Sequence, residues 1–270
     1  MALKIYQALW AMTGAPVPES FDRVAAAGFD GMAIDLGALS LEAAQATVPE
    51  FRRTGLAGLV TAFPRSIEDL RPALHLAHEI GAPFTIIVGQ VMPLTVAEMA
   101  ETIRAWLRVA AQERMPVQFE THRNCITNDL FATLLLLDDI PEMVLSADLS
   151  HYVVDREMPC PPPPVLQAYV ERILDRSGSL QGRIAARGQI QVALDFPQNR
   201  KWVDLFLSWW EYGLRRLRAR GPQDDAVFLC ELGPPDYAIT GPDGRELSDR
   251  WVEALALRDH VRAIWDRLSG

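Results

Sequence analysis

One alternation runs the whole length of this chain and restricts its fold more than any other feature: a short apolar run, a turn, a longer amphipathic stretch, then the next apolar run. Short apolar runs bounded by turn formers read as buried strands, and apolar residues at i, i+3 and i+4 read as helix. Strands are predicted at residues 3–10, 29–35, 56–63, 84–89, 116–120, 143–148, 182–187 and 226–231. Helices are predicted at 20–27, 41–54, 67–80, 96–112, 128–137, 165–175, 202–218 and 247–268. Gly28, Gly55 and Gly81 stand where the first three helices should stop, the position at which glycine frees the backbone to turn left-handed.

Strict strand–helix alternation implies a parallel sheet covered by its crossover helices. A doubly wound sheet usually carries G-x-G-x-x-G after its first strand, and the G-A-P at residues 14–16 does not match it. Eight units with none left over suit a closed α/β barrel, a single (β/α)8 TIM barrel, better. The chain has 270 residues, close to the ~250 typical of such barrels. No linker or low-complexity stretch divides it, so one domain over residues 1–270 is expected.

Charge and cysteine content narrow the function classes. The formal net charge is −9 and the sequence pI is about 5.1, which argues against general affinity for nucleic acid or anionic membranes. Cys125, Cys160 and Cys230 are scattered without paired spacing. They suggest neither a disulfide framework nor a thiolate zinc site, and a cytoplasmic location is expected. The apolar start of the chain is too short for a signal h-region or a membrane span.

In a parallel barrel the chemistry sits at the C-terminal ends of the strands, so a polar residue ending an apolar run is informative. Glu120 ends P-V-Q-F-E, Asp148 ends M-V-L-S-A-D, and Glu231 ends A-V-F-L-C-E. Each alone reads equally well as a cap for the next helix. Together, finishing three separate strands, they should converge on one mouth, where like charges repel unless a cation neutralises them. A divalent metal is the simplest such cation; carboxylates favour Mn2+ or Mg2+, with Co2+, Fe2+ and Zn2+ as further choices. His151, three residues after Asp148, is expected at the same mouth, and His122 and Arg123 follow Glu120 closely. Trp10 and Phe63 close the first and third strands and could stack on the apolar face of a ring. Asp35 and Gln90 end other strands and could bind hydroxyls. The C-P-P-P-P stretch at 160–164 could stiffen a loop over the site, or serve as a rigid connector or a contact between copies in a homo-oligomer.

E-T-H-R at 120–123, D-L-S-H at 148–151 and E-L-G-P-P-D-Y at 231–237 resemble the xylose isomerase-like barrel superfamily, and within it the sugar phosphate isomerase/epimerase group. The resemblance covers most of the chain, with its specific motifs in the second half. It implies a metal held by Glu120, Asp148 and Glu231, with the two glutamates also transferring protons on either side of a substrate carbon. It implies substrate contact by His151. The substrate would be a small sugar or polyol, and the reaction isomerisation, epimerisation or, in the same site, β-elimination as in a dehydratase. On the seventh strand related sequences often read I-H-A-R, whereas this chain reads I-A-A-R, which puts Ala185 at the expected histidine ligand and keeps Arg187 to bind an anionic group or pair with one of the carboxylates. Three outcomes follow: a metal on three carboxylates with water, Gln189, Gln191 or His122 completing the shell; a metal-free enzyme; or a non-catalytic homologue. A nuclease of the same superfamily would need a histidine-rich zinc site, and five histidines with a net charge of −9 speak against it.

Overall fold

The computed structural model describes residues 1–221 and 225–269. Eight parallel strands form a closed barrel in sequence order, with β1 paired to both β2 and β8. The strands are β1 Leu3–Ala8, β2 Gly31–Asp35, β3 Ala57–Ala62, β4 Thr85–Ile87, β5 Val117–Glu120, β6 Leu145–Ala147, β7 Ser177–Gly182 and β8 Ala226–Cys230. The helices are α1 Val17–Ala26, α2 Leu41–Gln45, α3 Val48–Thr54, α4 Leu70–Glu79, α5 Val96–Glu113, α6 Leu130–Asp139, α7 Leu149–Asp155, α8 Pro164–Asp175, α9 Arg200–Ala219 and α10 Arg250–Ser269. None of them is long and apolar enough to cross a membrane.

Period-two alternation sorts the strand residues into two sets. Ile5, Met32, Ile34, Val60, Ile87, Phe119, Leu145, Leu180 and Phe228 pack outward into the main core against the helices. Tyr6, Ala8, Ala33, Leu59, Phe84, Ile86, Val227 and Leu229 form a second, inner cluster on the alternate positions. On β5, β6 and β7 the inward row is polar instead: Ser179 Oγ donates to Gln118 Oε1 at 2.7 Å and meets Ser146 Oγ at 2.9 Å, and Gln181 Nε2 donates to Ser146 Oγ at 3.2 Å. The barrel interior therefore divides into an apolar side and a hydrogen-bonded side.

Two expectations about elements need correction. The seventh strand is Ser177–Gly182, not residues 182–187. Its S-G-S-L-Q-G sequence carries few apolar residues, so the run I-A-A that follows drew the strand forward by five positions. The stretch at 41–54 is two helices, α2 and α3, broken at Ala46–Thr47, with Pro49 in the first turn of the second. The segment after Asp148 also holds α7, absent from the sequence reading. Trp209 and Trp210, in α9, are both buried against the barrel, Trp210 with its ring 5.1 Å from that of Phe228.

Candidate active site

The inward rows set which polar side chains meet. Continuing each row by two residues takes Gln118 to Glu120, Ser146 to Asp148, Gln181 to Arg183, Leu229 to Glu231 and Ala33 to Asp35. Glu120 is the last residue of β5, and Asp148, Arg183 and Glu231 each stand immediately after their strands. All are buried, as is His151. The four strand ends β5 to β8 thus bring three carboxylates and one guanidinium together.

Asp148 divides its oxygens between two tasks. Oδ1 accepts from the Ser150 N–H at 2.9 Å and caps α7, so the helix-cap reading is correct for one oxygen. Oδ2 faces His151 Nε2 at 3.4 Å and Arg183 Nε at 3.4 Å. Arg183 Nη2 lies 2.9 Å from Glu231 Oε1. The guanidinium carbon sits 4.7 Å from the ring centre of Tyr237 and 5.8 Å from that of Trp10, within reach of favourable cation–π contact. Trp10 and Tyr237 meet edge to face at 5.4 Å. Gly233 allows this: a β-carbon there would come within 2.6 Å of the Trp10 ring and 2.7 Å of Tyr237.

The histidines form a second cluster beside the carboxylates. The rings of His122 and His151 are 3.9 Å apart, with Phe63 edge-on to His122 at 6.4 Å. His122 Nδ1 bonds the Arg123 carbonyl, which leaves Nε2 free. Among the described residues, both ring nitrogens of His151 are buried without a hydrogen-bond partner, as are Asp148 Oδ2, Glu231 Oε2 and Arg183 Nη1. So many unsatisfied buried groups in one place mark a site built for a polar ligand.

The electrostatics follow from burial and sign. Burial, reinforced by Glu231 and Asp148, pushes the Glu120 carboxyl well above the ordinary carboxylate range. Burial, only partly offset by Arg183, pushes Glu231 up to about 8. Burial acts on Asp148 in the same direction, but His151 and Arg183 outweigh it and hold this carboxyl below its usual range. Burial and the neighbouring His151 lower His122 to about 3, and burial also lowers His151, so both rings are neutral at pH 7. Asp35, buried and accepting from the Gly37 and Ala38 N–H groups, is raised to about 6.

Among the described residues, two sets of side chains bring potential metal-ligand atoms within 4.8 Å of one another, close enough to hold an ion: Glu120 with Asp148 and Glu231, and Glu120 with His122 and His151. The first is the set implied by sequence. It does not fit a divalent cation as it stands, because Arg183 already places a positive charge between Asp148 and Glu231. Arginine stays protonated in proteins and cannot make room by losing its charge.

Two further expectations, for Ala185 and Arg187, are placed differently by the structure, and a third, for Asp35, is refined. Ala185 is buried in the main core and offers nothing to the mouth; the inward residue after β7 is Arg183. Arg187 lies outside the mouth, largely exposed and paired with Glu157 at 3.0 Å. Asp35 spends one carboxylate oxygen on capping its own turn. Arg183 was missed because the seventh strand was read too late. The signal was present as the alternating polar row Ser177, Ser179, Gln181, Arg183. A cavity of about 760 Å3 lined by Lys4, Tyr6, Phe84, Pro116 and Val227 opens at the N-terminal ends of the strands, the wrong end for these groups.

No family model matches the chain, and no curated protein matches it by sequence. Solved structures match its fold over nearly full length. A D-allulose 3-epimerase from Methylomonas sp., solved with D-allulose, is 15% identical with a TM-score of 0.66, covering 97% of each chain. A xylose isomerase-like TIM barrel protein from Mycobacterium smegmatis, solved with magnesium, is 14% identical with a TM-score of 0.64, covering 98% of this chain and 97% of that one. A probable 3-DHS dehydratase, AsbF, from Bacillus anthracis is 17% identical with a TM-score of 0.57, covering 87% of this chain and 94% of that one. The chain therefore has the (β/α)8 fold of the xylose isomerase-like barrels, as the sequence resemblance implied.

Proposed function

We propose that the chain is an enzyme of the isomerase or epimerase type acting on a small sugar or polyol next to a carbonyl. The observation that carries this reading is the meeting of Glu120 and Glu231, from β5 and β8, within 4.8 Å of each other and of Asp148 in a buried mouth. Burial and repulsion raise both carboxyls, so the pair holds a proton near neutral pH, and Arg183 beside Glu231 favours ionisation of that partner. That is the state a proton-transfer pair needs.

In the proposed reaction the ionised glutamate removes a proton from the carbon beside the carbonyl. The C–H electron pair becomes a C=C bond and the carbonyl π pair moves onto oxygen, giving an enediolate. Proton return from the protonated glutamate to the opposite face of the same carbon gives the epimer. If a hydroxyl proton of the enediolate first passes to the former carbonyl oxygen, return at the old carbonyl carbon gives the isomer. General acid–base assistance of this kind contributes roughly 10²–10⁴-fold. His151 and His122, both neutral, serve as hydrogen-bond partners for substrate hydroxyls, and Trp10 offers its ring to the apolar face of the sugar. A divalent ion would supply Lewis-acid polarisation of the carbonyl in such a site, but the scheme takes no step through one because the carboxylate set does not fit it.

The test is proton exchange. A panel of ketoses and aldoses incubated with the enzyme in D2O and followed by NMR should show deuterium entering at the carbon beside the carbonyl, with the epimer or isomer appearing. Glu120→Gln and Glu231→Gln should each abolish exchange in a folded protein. Loss of water from the substrate instead would assign the elimination reaction, and no exchange across the panel would overturn the reading.

A further inference from the structure

A barrel mouth that gathers three buried carboxylates needs positive charge, and here a side chain of the protein provides it. Arg183 follows β7 on the inward row and ends between two carboxylates, with Nη2 2.9 Å from Glu231 Oε1 and Nε 3.4 Å from Asp148 Oδ2. The rings of Tyr237 and Trp10, themselves edge to face, both lie within cation–π reach of its guanidinium. It is as buried as the core residues around it. A hard divalent cation sits about 2.0–2.6 Å from its oxygen ligands. An ion bound by Asp148 and Glu231 at that range would be in direct repulsive contact with a guanidinium that cannot deprotonate.

The guanidinium is also incompletely used. Nη1 is buried without any acceptor, and Asp148 Oδ2 and Glu231 Oε2 lack full partners. A buried donor without an acceptor is costly and is expected to be completed by a ligand. An oxygen placed on Nη1 would lie beside the glutamate pair, where proton removal loads negative charge onto the carbonyl oxygen. Preorganised cationic donors at such a position are a strong means of lowering the barrier.

We propose that Arg183 takes the place of the divalent cation in this mouth: the enzyme works without metal, and the free Nη1 hydrogens hold the substrate's carbonyl oxygen while the enediolate forms. The role at the oxygen rests on the isomerase or epimerase reading; the displacement of metal does not. The two therefore fail separately.

The test reads metal binding without substrate. Chelator-treated protein is titrated with Mn2+ and followed by electron paramagnetic resonance, which distinguishes free from bound ion. The wild type is expected to bind no stoichiometric Mn2+, and its melting temperature is expected to be the same in Mn2+ and in EDTA. Arg183→His removes the guanidinium and supplies a neutral nitrogen ligand at the same strand end. Folded by circular dichroism, it should gain Mn2+ affinity of roughly tenfold or more, and Glu231→Gln in the same background should remove the gain. Stoichiometric Mn2+ on the wild type, through whichever side chains, would overturn the proposal. So would a folded Arg183→His variant that binds no better than wild type. If that variant does not fold, the wild-type titration and melting comparison still decide: a Mn2+-dependent rise in melting temperature counts against metal independence.

Discussion

Replacing Arg183 by methionine keeps much of the side chain's length and removes its charge. The structure then leaves Asp148 Oδ2 and Glu231 Oε1 without their cation in a site closed to water. Removing one partner of a buried ionic group typically costs ~3–5 kcal/mol, because the remaining charge stays desolvated. The cost must depend on pH, and its sign follows from Asp148. In the wild type this carboxyl is held below its ordinary value, so its contribution is present above pH ~4 and lost as pH falls through the lowered folded value. In the variant Arg183's share of that lowering is gone while His151 and the Ser150 N–H still act, so the folded value rises and Asp148 contributes less stability above pH ~4. The two curves therefore diverge upward: a small difference at pH 4–5 and the full ~3–5 kcal/mol near pH 8. Urea unfolding at both pH values, followed by tryptophan fluorescence and circular dichroism, measures it. A variant as stable as wild type at pH 8, or one whose deficit is larger at pH 5, would refute the electrostatic account of this mouth.

Other outcomes are expected from the same geometry. His122 is held neutral, with its value lowered from 6.5 to about 3, so it should draw stability away as pH falls below 6.5; the contribution is up to about 1.4 kcal/mol per pH unit. In acid-denaturation curves the wild type should lose stability more steeply below pH 6.5 than His122→Phe, which keeps only the contribution of His151, also lowered by burial. Gly233→Ala should push Trp10 and Tyr237 off Arg183 and lower turnover of any substrate found, while the melting temperature changes little, since these rings lie at the rim and not in the main core. Phe228→Ala, which empties a buried place between Trp210 and Gly182, should cost ~3–5 kcal/mol in urea unfolding without changing the pH dependence of stability.

The barrel was legible because its strands are apolar runs. β2, β3 and β8 lie within one to two residues of their predicted ends, and the three acids stand where the C-terminal rim was expected. β7 was not legible by hydrophobicity: Ser177, Gly178, Ser179 and Gln181 make it polar, since it closes the hydrogen-bonded side of the interior. That single misplacement moved the expected ligand position from Arg183 to Ala185 and lent Arg187 a role that its exposed pairing with Glu157 does not support. Asp148 shows a different limit. Sequence offered helix cap and site residue as alternatives, and its two oxygens allow both. The contacts of Tyr237 with Trp10 and Arg183 depend on close approach across loops, which no local pattern encodes.

The most direct measurement is deuterium exchange by chelator-treated enzyme in D2O with a ketose panel, run in EDTA and again with added Mn2+. The account predicts exchange beside the carbonyl that proceeds equally in both and disappears in Glu120→Gln and Glu231→Gln. Exchange that appears only with Mn2+ would contradict the role given to Arg183. No exchange under either condition would contradict the proton-transfer chemistry itself.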